Sequence, residues 1–164
     1  MDYAMSGADM AYPNKSADVQ SFGGAQAHRI ARPGSRPLTF SGTELAMAMS
    51  FTPELPYWYE LNIYRTDGQR FVLVVKQFFQ SEDEEDRKNA WEFGSLPEVF
   101  EALESYDAAR DVKMDAERFE MDGMSAAELA TRAYELRARI EAARAHFAGL
   151  VGEFLAQVET AAGA

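Results

Sequence analysis

The pair Asp67-Gly68 stands between two runs of β-branched and aromatic residues and limits the possible folds more than any other feature of the chain. Asp-Gly in this setting is the strongest short-range signal for a β-hairpin, because a two-residue type I′ turn needs positive φ at both central residues. We therefore predict a hairpin from Tyr57 to Gln80, in which Thr66 faces Gln69 across the turn.

The predicted register sorts the hairpin side chains onto two faces, because successive residues of a strand point to opposite sides. The first face is apolar and is expected to be core: Tyr57, Tyr59, Leu61, Ile63, Val72, Val74 and Phe78. The second face mixes polar residues with the aromatic residues Trp58, Tyr64 and Phe71. These three could stack on the bases of single-stranded nucleic acid if the face is open, whereas a helix or a partner would otherwise bury them.

The segments on either side of the hairpin predict a small meander covered by a helix. Residues 38–51 contain apolar alternation with one change of phase, which a bulge at Gly42 would accommodate. Another strand is expected at residues 88–93, and Ser95-Leu-Pro-Glu98 is a capping box that starts a helix. The predicted fold class is α+β: an antiparallel meander of roughly three to four strands packed by a helix and followed by a long C-terminal α-helix.

These signals divide the chain into four regions. Residues 1–36 are rich in Gly, Ala, Ser and Pro without a sustained period, so we expect a flexible, disordered N-terminal arm. Residues 37–107 hold the sheet and its helix, residues 108–124 form a linker, and residues 125–160 form the long amphipathic helix. The arm carries a net charge of +1 and the remainder −12, so a slightly basic tail precedes an acidic body.

The long helix carries a heptad seam of the kind found in coiled coils. It begins at a second capping box, Ser125-Ala-Ala-Glu128. The seam residues are Leu129, Leu136, Ile140, Phe147, Leu150 and Phe154. At ~1.5 Å per residue the helix would span roughly 50 Å, which is longer than a four-stranded sheet is wide. Part of it is expected to project from the domain or to pack on another chain, while packing on the protein's own sheet is the alternative.

Four arginines flank this seam and limit how the helix can pair. They are Arg132, Arg137, Arg139 and Arg144. A parallel homodimer would set these arginines against one another, which is repulsive. An antiparallel pair could bring Arg132 and Arg139 towards Glu153 of the other helix, and an acidic partner helix would also satisfy them. A homo-oligomer and a different protein partner therefore both stay open.

Signals of catalysis are scarce in this chain. It has no cysteine, and His28 and His146 lack neighbours in a triad-like pattern. The acidic run Glu82–Asp86 lacks the internal glycine and the ligand spacing of a calcium loop. We therefore expect no enzyme activity and no catalytic, cofactor-binding or metal-binding residues.

Charge and hydropathy limit the partners and the location. The net charge of −11 repels phosphates, so nucleic acid is possible but disfavoured. No apolar run approaches the ~20 residues of a membrane span, and no signal pattern opens the chain, so we expect a cytoplasmic protein without membrane contact.

The function that these features predict is a non-enzymatic protein-interaction or assembly subunit with the long helix as its interface. The alternative is a single-stranded nucleic-acid-binding module, which would use the aromatic face of the sheet and the basic stretch Arg29–Arg36 of the N-terminal arm.

Overall fold

A computed structural model describes residues 24–114 and 123–162 of the 164-residue chain. Its strands are β1 (Gln26–Arg32), β2 (Ser35–Met49), β3 (Tyr57–Thr66), β4 (Phe71–Phe79) and β5 (Arg87–Phe93). Its helices are α1 (Leu96–Glu104), a short 3-10 helix (Ala108–Asp111) and α2 (Ala126–Ala162). The strands form one antiparallel sheet in the order β1-β2-β3-β4-β5. The α+β class and the long C-terminal helix are confirmed, and the sheet has more strands than predicted.

The additional strand is β1, which lies where the N-terminal arm was expected to continue. β1 and β2 pair around the turn Pro33-Gly34, in which Gly34 adopts a positive φ of 66°. The arm prediction is therefore wrong for residues 26–36, because pairing with β2 orders a segment whose composition carries no periodic signal. Residues 1–23 of the predicted arm lie outside the described residues.

The hairpin of β3 and β4 is present, but its register differs by one residue from the prediction. The Thr66 N–H donates to the carbonyl oxygen of Arg70 at 2.8 Å, and the Arg70 N–H donates to the Thr66 hydroxyl at 3.0 Å. Gln69 adopts the left-handed region with φ 61°, which is the geometry of a three-residue loop. The two-residue turn was therefore wrong, and the extra loop residue exchanges the two faces of β4.

This exchange decides which residues of β4 enter the main core. Leu73 and Val75 lie opposite Ile63 and Leu61 and face the helices with them. The sheet residues buried in this main core are Ala46, Ala48, Tyr57, Tyr59, Leu61, Ile63, Leu73 and Val75. The predicted core residues Val72 and Val74 face the other side instead.

A second, smaller core lies on the face of the sheet away from the helices. Val72, Val74, Tyr64 and Ala90 are buried there, and side chains of β1 and the first half of β2 pack on them. β1 also contacts β5, although these two strands are not paired, so the sheet curls nearly into a barrel.

The predicted bulge in β2 lies near Leu45 instead of Gly42. The register between β2 and β3 shifts between Glu44 and Ala46. Gly42 has a different role, because a Cβ at this position would lie 2.5 Å from the carbonyl oxygen of Arg65. The glycine therefore permits the close approach of β2 and β3, and the bulge a few residues later changes the phase of the strand.

Both α-helices begin where the capping boxes predict. The Glu98 carboxylate accepts hydrogen bonds from the Gly94 N–H at 3.0 Å and from the Ser95 hydroxyl at 3.2 Å. At the start of α2 the Ser125 N–H donates to Glu128 at 2.9 Å, and the Glu128 N–H donates to the Ser125 hydroxyl at 3.2 Å. Neither helix, over its described length, combines the extent and the apolar character that crossing a bilayer requires.

We predict that Gly42→Ala destabilises the fold while Gly149→Ala does not. The new Cβ of Gly42→Ala meets backbone atoms of β3 that cannot turn away, so we expect a loss of about 1–3 kcal/mol in the free energy of unfolding. A Cβ at Gly149, on the surface of α2, meets no atom within 4 Å, and the better helix propensity of alanine should stabilise by up to ~1 kcal/mol. Urea unfolding measures both; equal stability of the two variants would contradict the close approach.

Candidate functional site

The seam of α2 divides into two parts that have different surroundings. Phe147, Leu150 and Phe154 are buried in the main core against the sheet. Leu129, Leu136 and Ile140 are half-buried and lie outside this core, which includes no α2 residue before Ala142. The structure thus brings the second three seam residues together inside the protein's own domain. We call residues 126–141, which carry the first three, the outer segment of α2.

Phe147 anchors the inner half of α2 through two aromatic contacts. Its ring meets the ring of Tyr59 from β3 edge-on, with 5.1 Å between the centroids. On its other side it stacks on Tyr106, which follows α1, at 4.7 Å. One side chain of α2 therefore joins the sheet to the segment between α1 and α2, so Phe147 belongs to the fold and not to an exposed interface.

The same two tyrosines meet again at a carboxylate. The hydroxyls of Tyr59 and Tyr106 both donate to Oδ2 of Asp111, each at 2.7 Å. Burial raises the pKa of Tyr59, and the nearby Asp111 carboxylate raises it further. Burial likewise raises the pKa of Tyr106, together with its hydrogen bond to Asp111. Both phenols therefore stay neutral donors, and the cluster ties the 3-10 helix to β3 across 52 positions of sequence.

An exposed ion pair joins α2 to the segment between α1 and α2. The Arg144 guanidinium donates two hydrogen bonds of 2.8 Å to the two carboxylate oxygens of Asp107. These bonds from Arg144, with a bond from the backbone N–H of Ala109, lower the pKa of Asp107 to about 2. Arg144 was predicted to flank an intermolecular seam, whereas the structure places it in an intramolecular pair.

The outer segment of α2 contributes no side chain to the main core. Tyr134, near its middle, is 75% exposed. The capping box at Ser125 stabilises the first turn, and the Ser125 N–H holds the pKa of Glu128 below its usual range. Arg137 pairs with Glu141 one turn further on, at 2.8 Å. Local interactions of this kind stabilise exposed helices by only about a few tenths of a kcal/mol each. The continuity of the outer segment with the packed inner half of α2 therefore also helps to keep it helical.

Two of the remaining flanking arginines also have defined surroundings. Arg139 is half-buried and lines a small cavity of about 50 Å³, which Tyr57 and Asp111 also line. Arg132 is half-buried and takes part in an interaction within the chain. Arg137, which is exposed, and Arg139 lie one residue after and one residue before the half-buried seam residues Leu136 and Ile140.

The three aromatic residues proposed as a stacking surface do not share a face. Tyr64 is buried in the second core, where His28 of β1 lies 4.6 Å from its ring. Phe71 packs on the main core, because the register shift moved it to the helix side. Trp58 lies on the face of the sheet opposite to Phe71, stacked on Phe78 with 5.6 Å between the ring centroids. Of the three residues, only Trp58 belongs to neither core.

Two features of the structure were not predicted from the sequence. The cluster around Asp111 joins residues from distant parts of the chain, and no local pattern signals it. An open apolar patch on the sheet was also missed; it consists of Met47, Met49, Phe51, Trp58 and Phe78. The alternation of Met47, Met49 and Phe51 was visible in the sequence, but alternation does not tell which face of a strand is covered.

The acidic residues of the described chain do not gather into a metal site: no group of three or more His, Asp or Glu side chains converges there. Glu84, from the acidic run, instead pairs with Lys113 at 3.0 Å. No protein-family model, curated protein or solved structure shows a significant match to the chain.

We predict that Asp111→Ala destabilises the protein, because it leaves the hydroxyls of the buried Tyr59 and the half-buried Tyr106 without their acceptor. The expected loss is about 1–3 kcal/mol in the free energy of unfolding. Asp67→Ala, in the exposed hairpin loop, removes a carboxylate of the same size and serves as the control. Urea unfolding followed by far-UV circular dichroism compares the two; a loss no larger than that of the control would remove the structural role of the cluster.

The Asp107–Arg144 pair predicts a specific acid dependence. Because the pKa of Asp107 is lower in the folded state than its ordinary value of 3.8, the pair stabilises the fold above that value and is lost as the pH falls towards about 2. Arg144→Gln removes the largest cause of the lowered pKa and leaves the hydrogen bond from Ala109. Wild-type stability should therefore fall more steeply across this window than that of the variant; parallel pH profiles would contradict the prediction.

Proposed function

We propose that this chain is a non-enzymatic protein-interaction or assembly subunit that presents the outer segment of α2 as its interface. The supporting observation is the change in burial along one helix: Phe154 has no exposed surface, whereas Leu129 and Leu136 of the same heptad seam lie outside the core. A seam that continues beyond the core leaves apolar side chains at the spacing that another helix can pack against.

The inner half of α2 is already fixed in the domain, which lowers the entropic cost of binding at the outer segment. The ring contacts of Phe147, the Asp107–Arg144 pair and the main core hold the helix in place before any partner binds. A docking helix that is already formed loses little conformational freedom on binding, so more of the contact free energy appears as affinity.

An acidic helix of another protein fits the flanking charges better than a second copy of this chain. An antiparallel homodimer would need Glu153 to meet the arginines, but Glu153 lies in the half of α2 whose seam packs on its own sheet. Arg137 lies exposed beside the first half of the seam, where a carboxylate of a partner can approach it. Self-assembly is the second outcome that the experiment below detects.

The nucleic-acid alternative has less support. Tyr64 and Phe71 are packed in separate cores, so the aromatic residues do not form a row on which successive bases could stack. Arg29 and Arg36 are exposed and Arg32 is half-buried on the hairpin of β1 and β2, away from a shared aromatic surface.

The test compares two double variants that add the same charge to opposite faces of the outer segment. Leu129→Asp with Leu136→Asp alters the seam, and Thr131→Asp with Ala138→Asp alters the outer face. All four sites lie outside the main core, so both proteins should stay folded, and thermal unfolding of each variant checks this before binding is measured.

The readouts are light scattering after size exclusion and quantitative co-purification from the native host. We expect the seam variant to lose its partner, or its oligomeric mass, by at least about tenfold in affinity, while the outer-face variant behaves as wild type. If both variants keep the same mass and the same partners as wild type, the outer segment is not the interface.

A further inference from the structure

A small cavity lies where the start of β3, the end of β4 and the residues after the 3-10 helix meet α2. Its volume is about 50 Å³. A water molecule takes up ~30 Å³ in the liquid, so the cavity has room for a group of a few heavy atoms. The side chains that give it apolar walls are Leu55, Pro56, Phe79 and Val112. Apolar walls with a few polar groups among them are typical of ligand sites.

Tyr57 lines this cavity and carries a hydroxyl group without a partner. The residue is 3% exposed, and its buried Oη makes no hydrogen bond within the described structure. The neighbouring Tyr59 hydroxyl donates its proton to Asp111 and not to Tyr57. Burial raises the pKa of Tyr57, so the phenol stays protonated and remains a donor. A ligand that accepts this hydrogen bond would use a group that the fold leaves unsatisfied.

Gln77 of β4 adds further unpaired polar atoms on the same side of the sheet. It lies opposite Tyr59 and is 4% exposed, and neither its Nε2 nor its Oε1 has a hydrogen-bond partner among the described residues. Of the five buried side-chain atoms without a partner there, three therefore belong to Tyr57 and Gln77. Such atoms are rare in folded proteins, and a bound group that pairs with them is one physical explanation.

The charged groups at the cavity favour a ligand with one negative charge. Glu84 and Lys113 pair with each other at 3.0 Å, and Asp111 accepts the two tyrosine hydrogen bonds. Arg139 is half-buried, and within the described chain no ion pair or hydrogen bond engages it. A guanidinium group matches a carboxylate through two parallel hydrogen bonds. A phosphate would bring about two negative charges towards Asp111 and Glu84, whereas a carboxylate brings one.

We propose that this cavity binds a carboxylate group, with Arg139 as its ion pair and the Tyr57 hydroxyl as a second donor. The apolar walls accommodate the short aliphatic chain next to the carboxylate. The group comes either from a small aliphatic carboxylate or from a Glu or Asp side chain of a bound protein. Among the described residues that line the cavity, only Arg139 belongs to α2, so binding here does not depend on the function proposed for the seam.

The first experiment titrates propionate into the full chain at constant ionic strength and follows the backbone amides by NMR. We expect saturable shifts at residues 55–57, 111–113 and 139. Arg139→Gln should weaken the binding by about tenfold or more. Arg36→Gln removes the same charge from the exposed hairpin of β1 and β2, and it should bind propionate as wild type does.

A second pair of variants separates binding from folding. Because the Tyr57 hydroxyl has no partner in the fold, Tyr57→Phe should keep or raise the urea midpoint, while propionate binding weakens by about tenfold. Tyr106→Phe removes a hydroxyl that donates to Asp111, and Tyr106 does not line the cavity. Its urea midpoint should fall, while its affinity for propionate stays that of wild type.

A capped glutamate, N-acetylglutamate amide, identifies the source of the carboxylate. A site for a protein side chain binds this probe at least as tightly as propionate, whereas a site for a free molecule binds propionate more tightly. Shifts that do not saturate with either probe would overturn the proposal, because the cavity would then hold water only. Equal weakening by Arg139→Gln and Arg36→Gln would overturn it, and so would a urea midpoint of Tyr57→Phe as low as that of Tyr106→Phe.

Discussion

The packing of Phe147 between Tyr59 and Tyr106 is the contact on which the arrangement of the molecule depends. It joins the sheet, the segment after α1 and the long helix at one point. Asp111 accepts a hydrogen bond from the hydroxyl of each of the two tyrosines. Each of these elements has one apolar face and needs the others to bury it. Ala143, Leu150, Phe154 and Val158 of α2 extend the same packing along the core.

The extent of the contact between α2 and the core explains the two environments of the seam. The α2 residues that pack on the main core lie between Ala142 and Val158, whereas the 37-residue helix begins at Ala126. Only part of the helix therefore lies against the core. The same heptad spacing serves the core at Phe154 and remains half-exposed at Leu129, so one sequence pattern has two different surroundings.

The face of the sheet away from the helices is also only partly covered. The hairpin of β1 and β2 covers Tyr64, Val72 and Val74, but it does not reach the end of β3 that carries Trp58. Closure of the sheet is thus incomplete, and an edge and an apolar patch are left side by side. The incomplete barrel and the overlong helix leave apolar surface in two separate places.

Local sequence alone determined where most elements begin and which type they are. The capping boxes at Ser95 and Ser125, the Asp67-Gly68 turn region and the heptad period all report on neighbours in the chain, so their physical cause is present in the sequence itself. Tertiary structure decided the rest: pairing with β2 ordered β1, and contact with Tyr59 placed Phe147 inside the domain. These outcomes depend on partners distant in sequence, and a pattern that records only neighbouring residues does not contain them.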